Sequence, residues 1–428
     1  MMTKPAFDAI SSCLDGYDPE ALRVDVAREF IAQLLPRPTL QESVGVRAAL
    51  GRVLAEDIVS TVQVPAHDNA AMDGYALRGL DIQTAAETRL HLAGSSLAGS
   101  APVSQLPPGH CQRIMTGALM PAGLDTVVPQ EFTRTEGALI VIPAGVVKPG
   151  ANRRLAGEDL ALGGVPLRAG RLLQPADLGV LTSLGLAKVP VWRKLRVALM
   201  STGDELRSVD HNNGEPLPPG CVYDSNRTTM WAMLTRLGVE VIDLGVVRDD
   251  PVLLRDALMR ASHEADAILT SGGVSVGEAD HTRRVIAELG EVLFWKLAMR
   301  PGRPLAVGRI GQAILFGLPG NPVAVMVSFY AFVRDALLAM GGARPNPLPM
   351  LRAASTRRLS KKPGRTEYQR GIVSRAQDGH WQVELAGNQG SGVLSSMSQA
   401  NGLVVLGHDQ GEVAAGDWVD VLPFEGLI

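Results

Sequence analysis

With 428 residues, the chain is longer than the length over which one hydrophobic core keeps growing, so several domains are expected. A composition of 46% hydrophobic and 20% charged residues leaves no case for disorder or a fibre, and 46 Gly with 28 Pro indicate many tight turns between short elements. The formal net charge of −3, with no run of Lys or Arg along a helical face, argues against nucleic-acid binding and for a small-molecule ligand. Cys13, Cys111 and Cys221 are odd in number and far apart, which predicts a reducing compartment and no zinc site. Residues 1–20 have no apolar run of the length of an export signal, and the apolar stretch Val323–Val333 is too short to cross a bilayer, so a cytoplasmic protein is expected.

In chain order, residues 1–60 carry amphipathic helical periodicity at Val24–Leu35 and Ser43–Leu50. Residues 61–149, rich in Gly, Pro, Val and short alternating runs, predict an inserted β-rich domain. Residues 150–192, with a helix expected over Pro175–Leu184, are assigned with 1–60 to one discontinuous linker or dimerisation lobe. From 193 to 342 apolar runs alternate with helical segments: Leu195–Met200, a helix over Asn226–Leu237 stopped by Gly238, Val239–Val247, a helix from Pro251, Ala267–Leu269, a helix over His281–Leu289, Ala313–Phe316 and a helix over Val323–Met340. Such alternation implies a parallel sheet wrapped by helices. Residues 350–428 again read as β-rich, a C-terminal β-barrel-like domain. The fold class is therefore α/β multidomain: a central parallel-sheet domain flanked by a β-rich N-terminal lobe, a helical or mixed lobe and a barrel.

Ligands of open parallel sheets bind beyond the carboxyl ends of the strands, where loops and helix N-termini converge. Four loops there are chemically loaded: Ser201–Leu206, Tyr223–Arg227, Thr270–Asp280 and Gly317–Pro322. Ser271-Gly272-Gly273 removes side chains from a strand-to-helix turn, so backbone amides can approach an anion such as phosphate, although glycine's ordinary role in turns explains it equally well. The spacing fits neither a P-loop nor a dinucleotide fingerprint. Glu205, Asp224, Asp249, Asp250, Glu278 and Asp280 all fall at loop ends, and converging carboxylates call for a cation such as Mg²⁺. Asp249, ahead of Pro251, and Asp280, ahead of a helix, are also ordinary capping positions. Lys296, in an apolar run where an unpaired ammonium is costly, supplies a positive counterpart, as do Arg300, Arg303, Arg365 and Arg370. The stretches His67–Ala76, with Asp73, and Arg113–Ala118, with Thr116, declare no chemistry by themselves.

Taken together, Asp68–Ala76, Arg113–Gly117, Gly157-Glu158-Asp159, Ser201–Leu206, Tyr223–Arg227, Ser271–Asp280, Pro301–Pro304, Gly317–Pro322 and Ser391–Gly402 closely resemble the molybdopterin molybdenumtransferase family, which includes the catalytic part of gephyrin. The resemblance spans about residues 20 to 425. It implies a molybdopterin-binding-type α/β domain, and an elongated homodimer whose active site is shared between subunits. It further implies Mg²⁺-dependent conversion of adenylylated molybdopterin and molybdate to AMP and molybdenum cofactor. Transient contacts with the adenylyltransferase and with molybdoenzyme maturation proteins go with that activity.

Carried over by motif, Glu205, Asp249 and Asp280 would be the essential acids and tentative Mg²⁺ ligands, with Lys296 and Arg300 binding anionic substrate. Asp73, Thr116, Asp159 and Arg370 would complete the catalytic set. Ser271, Gly272, Gly273, Ser275, Asp224, Asn226, Arg303, Pro319, Gly320 and Asn321 would bind phosphate and substrate. Arg300 and Arg303 depart from the family's frequent Lys, exchanging a point charge for a planar fork. Two rival readings are molybdopterin adenylyl transfer, which uses a similar α/β domain, and a gephyrin-like scaffold without catalysis.

Overall fold

A computed structural model describes residues 22–101, 105–209, 216–273 and 281–424. The chain forms two compact units, one of residues 1–42, 51–53 and 191–428 and the other of residues 43–50 and 54–190.

The first unit is built on a six-stranded sheet of β1 (Arg196–Thr202), β2 (Glu240–Val247), β3 (Ala267–Ser271), β4 (Gly290–Lys296), β5 (Pro304–Ile310) and β6 (Ala313–Leu318), in the order β2-β1-β3-β6-β5-β4. The strands β2, β1, β3 and β6 run parallel, with Leu199, Leu269 and Phe316 side by side. The expectation of a wholly parallel sheet needs correction, because β5 and β4 are antiparallel and extend one edge as a meander. Only Gly311 and Gln312 separate β5 from β6, too few for the crossover that a parallel pair would need.

Side chains alternate between the two faces of β1, as strand geometry requires. Val197 and Leu199 enter one core with α1 (Val24–Leu34), α2 (Ser225–Leu237) and α5 (Pro322–Met340). Ala198 and Met200 enter another with α3 (Pro251–Glu264) and α4 (His281–Leu289). Helix α2 begins at Asp224, whose carboxylate accepts from Arg227 N at 3.1 Å, and ends at Gly238 with φ 81°. Helix α5 is long and apolar enough to span a bilayer, contrary to the shorter stretch read from sequence, but it is largely buried in this core. Its middle, Phe329–Val333, winds as a π-helix.

Five further strands, β7 (Leu351–Ser355), β8 (Thr366–Arg375), β9 (Trp381–Leu385), β10 (Gly402–Leu406) and β11 (Trp418–Pro423), pair in the circular order β8-β9-β7-β11-β10-β8 and close a small barrel. Val383, Val404 and Val421 fill it. The short strand Met299–Arg300 adds to β8, pairing Arg300 with Glu367.

The second unit carries a six-stranded sheet with Gly74–Leu77 between Thr126–Pro129 and His110–Ile114. A Cβ on Gly74 would lie 1.9 Å from Val128 O, so only glycine lets these strands meet. The helix expected over Pro175–Leu184 is present as Pro175–Ser183. Two expectations change. Ser43–Leu50 is not an amphipathic helix but the end of a strand, Gln41–Gly45, followed by one 3₁₀ turn, Val46–Ala49, consistent with Gly45 and β-branched neighbours. Residues 22–42 belong with the α/β domain instead of with 150–192, because the apolar stripe of α1 (Val24, Ala27, Phe30, Ile31, Leu34) is buried against it.

Candidate active site

At the carboxyl end of the parallel strands, Asn226 in the first turn of α2 donates through Nδ2 to Ser271 Oγ at 2.8 Å and to Gly320 O at 2.6 Å. Ser271 Oγ in turn donates to Pro319 O at 3.3 Å. One amide side chain thus ties the end of β3 to the loop after β6. Gly272 (φ +87°) and Gly273 (φ +65°) follow, and both must be glycine: a Cβ would sit 2.5 Å from Thr202 O in the first case and 2.4 Å from Thr282 Cβ in the second. Asn226 Oδ1, Thr202 Oγ1 and Thr270 Oγ1 are buried without a hydrogen-bond partner among the described residues, which is unusual outside a ligand site.

These elements border a cavity of about 610 Å³ whose lining comprises Gly272, Gly273, Arg300–Pro304, Pro319–Asn321, Ala324 and Gln389–Ser391. Its described lining contains two guanidinium groups, Arg300 and Arg303, and no carboxylate. A smaller pocket of about 180 Å³ shares Arg300, Pro301 and Gln389 and adds Arg370. Arg370 is only 1% exposed. Its Nε donates to Ser396 Oγ at 3.1 Å and its Nη2 to the carbonyls of Asn388 and Gly390 at 2.9 and 3.0 Å. Gln389 is held by the same strand, accepting from Arg370 N at 2.8 Å. Burial, and after it the charge of Arg300, pushes the Arg370 guanidinium below its ordinary value. The larger cavity is cationic, glycine-opened and suited to an oxyanion, whereas the smaller pocket also holds Glu367, ion-paired with Arg365 at 2.7 Å.

The acids lie elsewhere around the strand ends. Helix α3 is capped by Asp250, which accepts from Val252 N and Leu253 N, so Asp249 does not serve the capping role its position suggested. Asp249 Oδ1 is buried without a hydrogen-bond partner among the described residues, and Asp249 N donates to Asp204 Oδ1 at 3.3 Å, which joins the loop after β2 to the one after β1. Glu205, exposed, folds its carboxylate over Gly203, where a Cβ would meet Oε2 at 2.6 Å. Asp224 is engaged as the α2 cap and beside Arg227 Nε at 3.5 Å. Glu205, Asp249, Asp224 and Lys296 are not among the residues lining the cavity. Lys296 is half-buried at the end of β4 and is not unpaired. Ser275 and Asp280 lie outside the described residues.

In the second unit, Asp73 Oδ1 accepts from both the backbone N and the Oγ1 of Thr116, each at 2.7 Å. The structure thereby joins two motifs that were silent in isolation. Asp159 is exposed, its backbone N donating to Val64 O at 3.0 Å. The Thr116 hydroxyl and amide hold the Asp73 carboxyl below the usual carboxylate range. Because the folded value is depressed, this pair favours the folded state above the ordinary carboxyl pKa, and that contribution is lost as pH falls through the folded value. Thr116→Val keeps the amide and deletes the hydroxyl, so the Asp73 pKa is expected to rise part of the way to its ordinary value in a carboxyl NMR titration; an unchanged midpoint would remove the hydroxyl as its cause.

Gln389, Gly390 and Ala324 escaped the sequence reading as site residues, and Ser391 entered it only as part of a motif. The available signal was the polar, glycine-rich run Gly387–Gly392, a turn signature that carries no ligand information. Lys361 was also missed: it is 2% exposed and donates to the carbonyls of Lys362 and Gln410 at 2.7 and 2.9 Å, and burial lowers its pKa.

Family models match nearly the whole chain: the MoeA N-terminal region (domain I and II) over residues 22–185, a probable molybdopterin binding domain over 198–339, and the MoeA C-terminal region (domain IV) over 352–424. The chain is 41% identical to the molybdopterin molybdenumtransferase of Haemophilus influenzae, covering 95% of this chain and 100% of that one. It is 36% identical to the protein of the same name from Nostoc, over 96% and 95% of the two. A solved structure, the molybdopterin biosynthesis moeA protein of Pyrococcus horikoshii OT3, superposes with a TM-score of 0.81 at 29% identity, covering 94% of this chain and 99% of that one.

Proposed function

The chain belongs to the molybdopterin molybdenumtransferase family, and from that premise we propose that it inserts molybdenum from molybdate into adenylylated molybdopterin, releasing AMP and molybdenum cofactor. The observation that carries this reading is the glycine-opened cavity with two arginines and no acid in its described lining, at the carboxyl end of a parallel sheet. A phosphoanhydride substrate brings several negative charges, and Arg300 and Arg303 would meet them with planar forks that grip an oxyanion in pairs of bonds. The loop Asn388–Ser391, anchored by Arg370, would close over the opposite wall and hold the anhydride in line for attack. As the bond to AMP breaks, charge builds on the departing phosphate, and the fixed guanidinium groups stabilise it without reorganising.

Mg²⁺ is part of the same proposal. Among the described residues no three acidic, His or Cys side chains converge on a metal position. A hard ion held by one or two carboxylates plus substrate phosphate needs no such trio, and Asp249, whose buried Oδ1 has no hydrogen-bond partner among the described residues, and Glu205 would supply those carboxylates. When bound, the ion would neutralise phosphate charge. Asp73, Thr116 and Asp159 would serve in a homodimer, facing this cavity from another subunit. A cytoplasmic setting and transient transfer of substrate from an adenylyltransferase complete the reading.

The test is AMP release by purified protein as molybdate and Mg²⁺ are varied. Release should saturate with molybdate, stop on chelation and return with added Mg²⁺. A curve flat in molybdate would overturn insertion, and consumption of ATP with unadenylylated pterin would favour adenylyl transfer.

A further inference from the structure

The cavity has two walls of different origin. One comes from the α/β domain: Gly272, Gly273 and the start of α5 at Asn321 and Ala324. The other is the barrel loop Gln389–Ser391, suspended from β8 by Arg370. Among the described residues, one backbone hydrogen bond crosses directly between these two walls, Val323 N donating to Ser391 O at 3.1 Å. Behind the walls, α5 and the barrel share one apolar core, in which Val325 and Phe329 lie with Tyr368 and Leu403.

The segment Leu22–Leu34 lies behind both. Leu22 exchanges backbone bonds with Lys296 and Ala298, in the strand run that leads to Arg300–Pro304. Six residues on, Arg28 Nε donates to Ala331 O at 2.8 Å, inside the π-helical stretch of α5. A π-helical turn breaks the i→i−4 ladder and frees carbonyls that need other donors. The Arg28 guanidinium also lies close enough to the Tyr368 hydroxyl to counter part of the upward push of burial on its pKa. Tyr368, 5% exposed on β8, packs in the same core as α1 and α5 and lines the smaller pocket two positions before Arg370. A single guanidinium thus bridges the helix that starts at one wall and the strand that carries the other.

We propose that Arg28 is a positioning residue which, through Ala331 O and Tyr368, fixes the width of the cavity between α5 and the barrel loop. A wall held at the right separation pays no ordering cost when substrate arrives, so the benefit appears in affinity. The proposal rests on the insertion reading only for its kinetic readout.

Arg28→Ala and Tyr368→Phe should each raise KM for adenylylated molybdopterin about tenfold with kcat little changed, a tenfold loss being what one charge-assisted hydrogen bond supplies. The double variant should be no worse than the poorer single one, since both cut the same bridge. Arg28→Lys, which keeps a donor, should recover part of the loss. Amide exchange gives a readout independent of activity: the Val323 amide should exchange faster in Arg28→Ala and Tyr368→Phe. Unchanged KM and unchanged Val323 exchange, with only a lower Tm, would reduce Arg28 to a structural residue and overturn the proposal. If wild-type protein releases no AMP, the insertion reading fails and Val323 exchange alone decides this one. Should Arg28→Ala not fold, Tyr368→Phe and Arg28→Lys decide it by the same criteria.

Discussion

Gly272→Ala is expected to reduce AMP release by a factor of about 100 or more in a protein whose barrel and second unit still fold, since displacements of about 1 Å at a site cost that much. The residue sits at φ +87°, where an alanine pays roughly 1–2 kcal/mol of backbone strain before any contact is counted. The added methyl would also lie 2.5 Å from Thr202 O, a backbone oxygen of β1 that cannot rotate away. The turn after β3 must then move, and with it the bonds joining Asn226 to Ser271 and Gly320. Gly273→Ala offers the contrast, because its obstacle is the side chain of Thr282. Pairing it with Thr282→Gly should recover activity in part, whereas Gly272→Ala has no second-site remedy of that kind. Wild-type rates in Gly272→Ala would show that this turn does not border the reacting groups.

The difference between those two glycines lay beyond the sequence, although their importance did not. Strand runs such as Ala313–Phe316 and caps such as Gly238 were legible because burial on both faces and a left-handed stop leave local signatures. The antiparallel pair β4–β5 was not, because direction depends on the partner strand and not on composition. Within the site, Gly272, Gly273, Arg300, Arg303, Pro319, Gly320 and Asn321 were all named from sequence and share one cavity. Gln389 and Gly390 belong to a loop that Arg370, on β8, helps to suspend at that cavity, a tertiary relation with no periodicity to read. Asp249 and Asp250 illustrate the finer limit: adjacent acids before a proline look alike, and only geometry shows which one spends its carboxylate on the helix.

Arg370→Met should separate activity from stability in the opposite sense to an ordinary core substitution. The guanidinium is buried, and no carboxylate among the described residues forms an ion pair with it. Its loss therefore strands no buried anion, and methionine relieves the cost of burying an uncompensated cation, which offsets the hydrogen bonds given up. Asn388 is exposed and Gly390 half-exposed, so water can replace the donor at their carbonyls. The net change in folding free energy should fall within about 1 kcal/mol, a shift of a few degrees or less in Tm for a chain of this size. The loop at Gln389–Ser391, in contrast, loses the Nη2 donor that the carbonyls of Asn388 and Gly390 share, and the neighbouring pocket loses a charge. A fall in kcat/KM of about 100-fold is expected, comparable to deleting one preorganised donor at a developing oxyanion. Arg370→Lys keeps the charge but lacks the separate Nε donor, so it cannot serve Ser396 Oγ and the loop carbonyls from one planar group, and its kcat/KM should lie between the two. If Arg370→Met instead unfolds at a much lower temperature while the folded fraction keeps its wild-type kcat/KM, then the guanidinium serves the barrel and the cationic cavity must do without it.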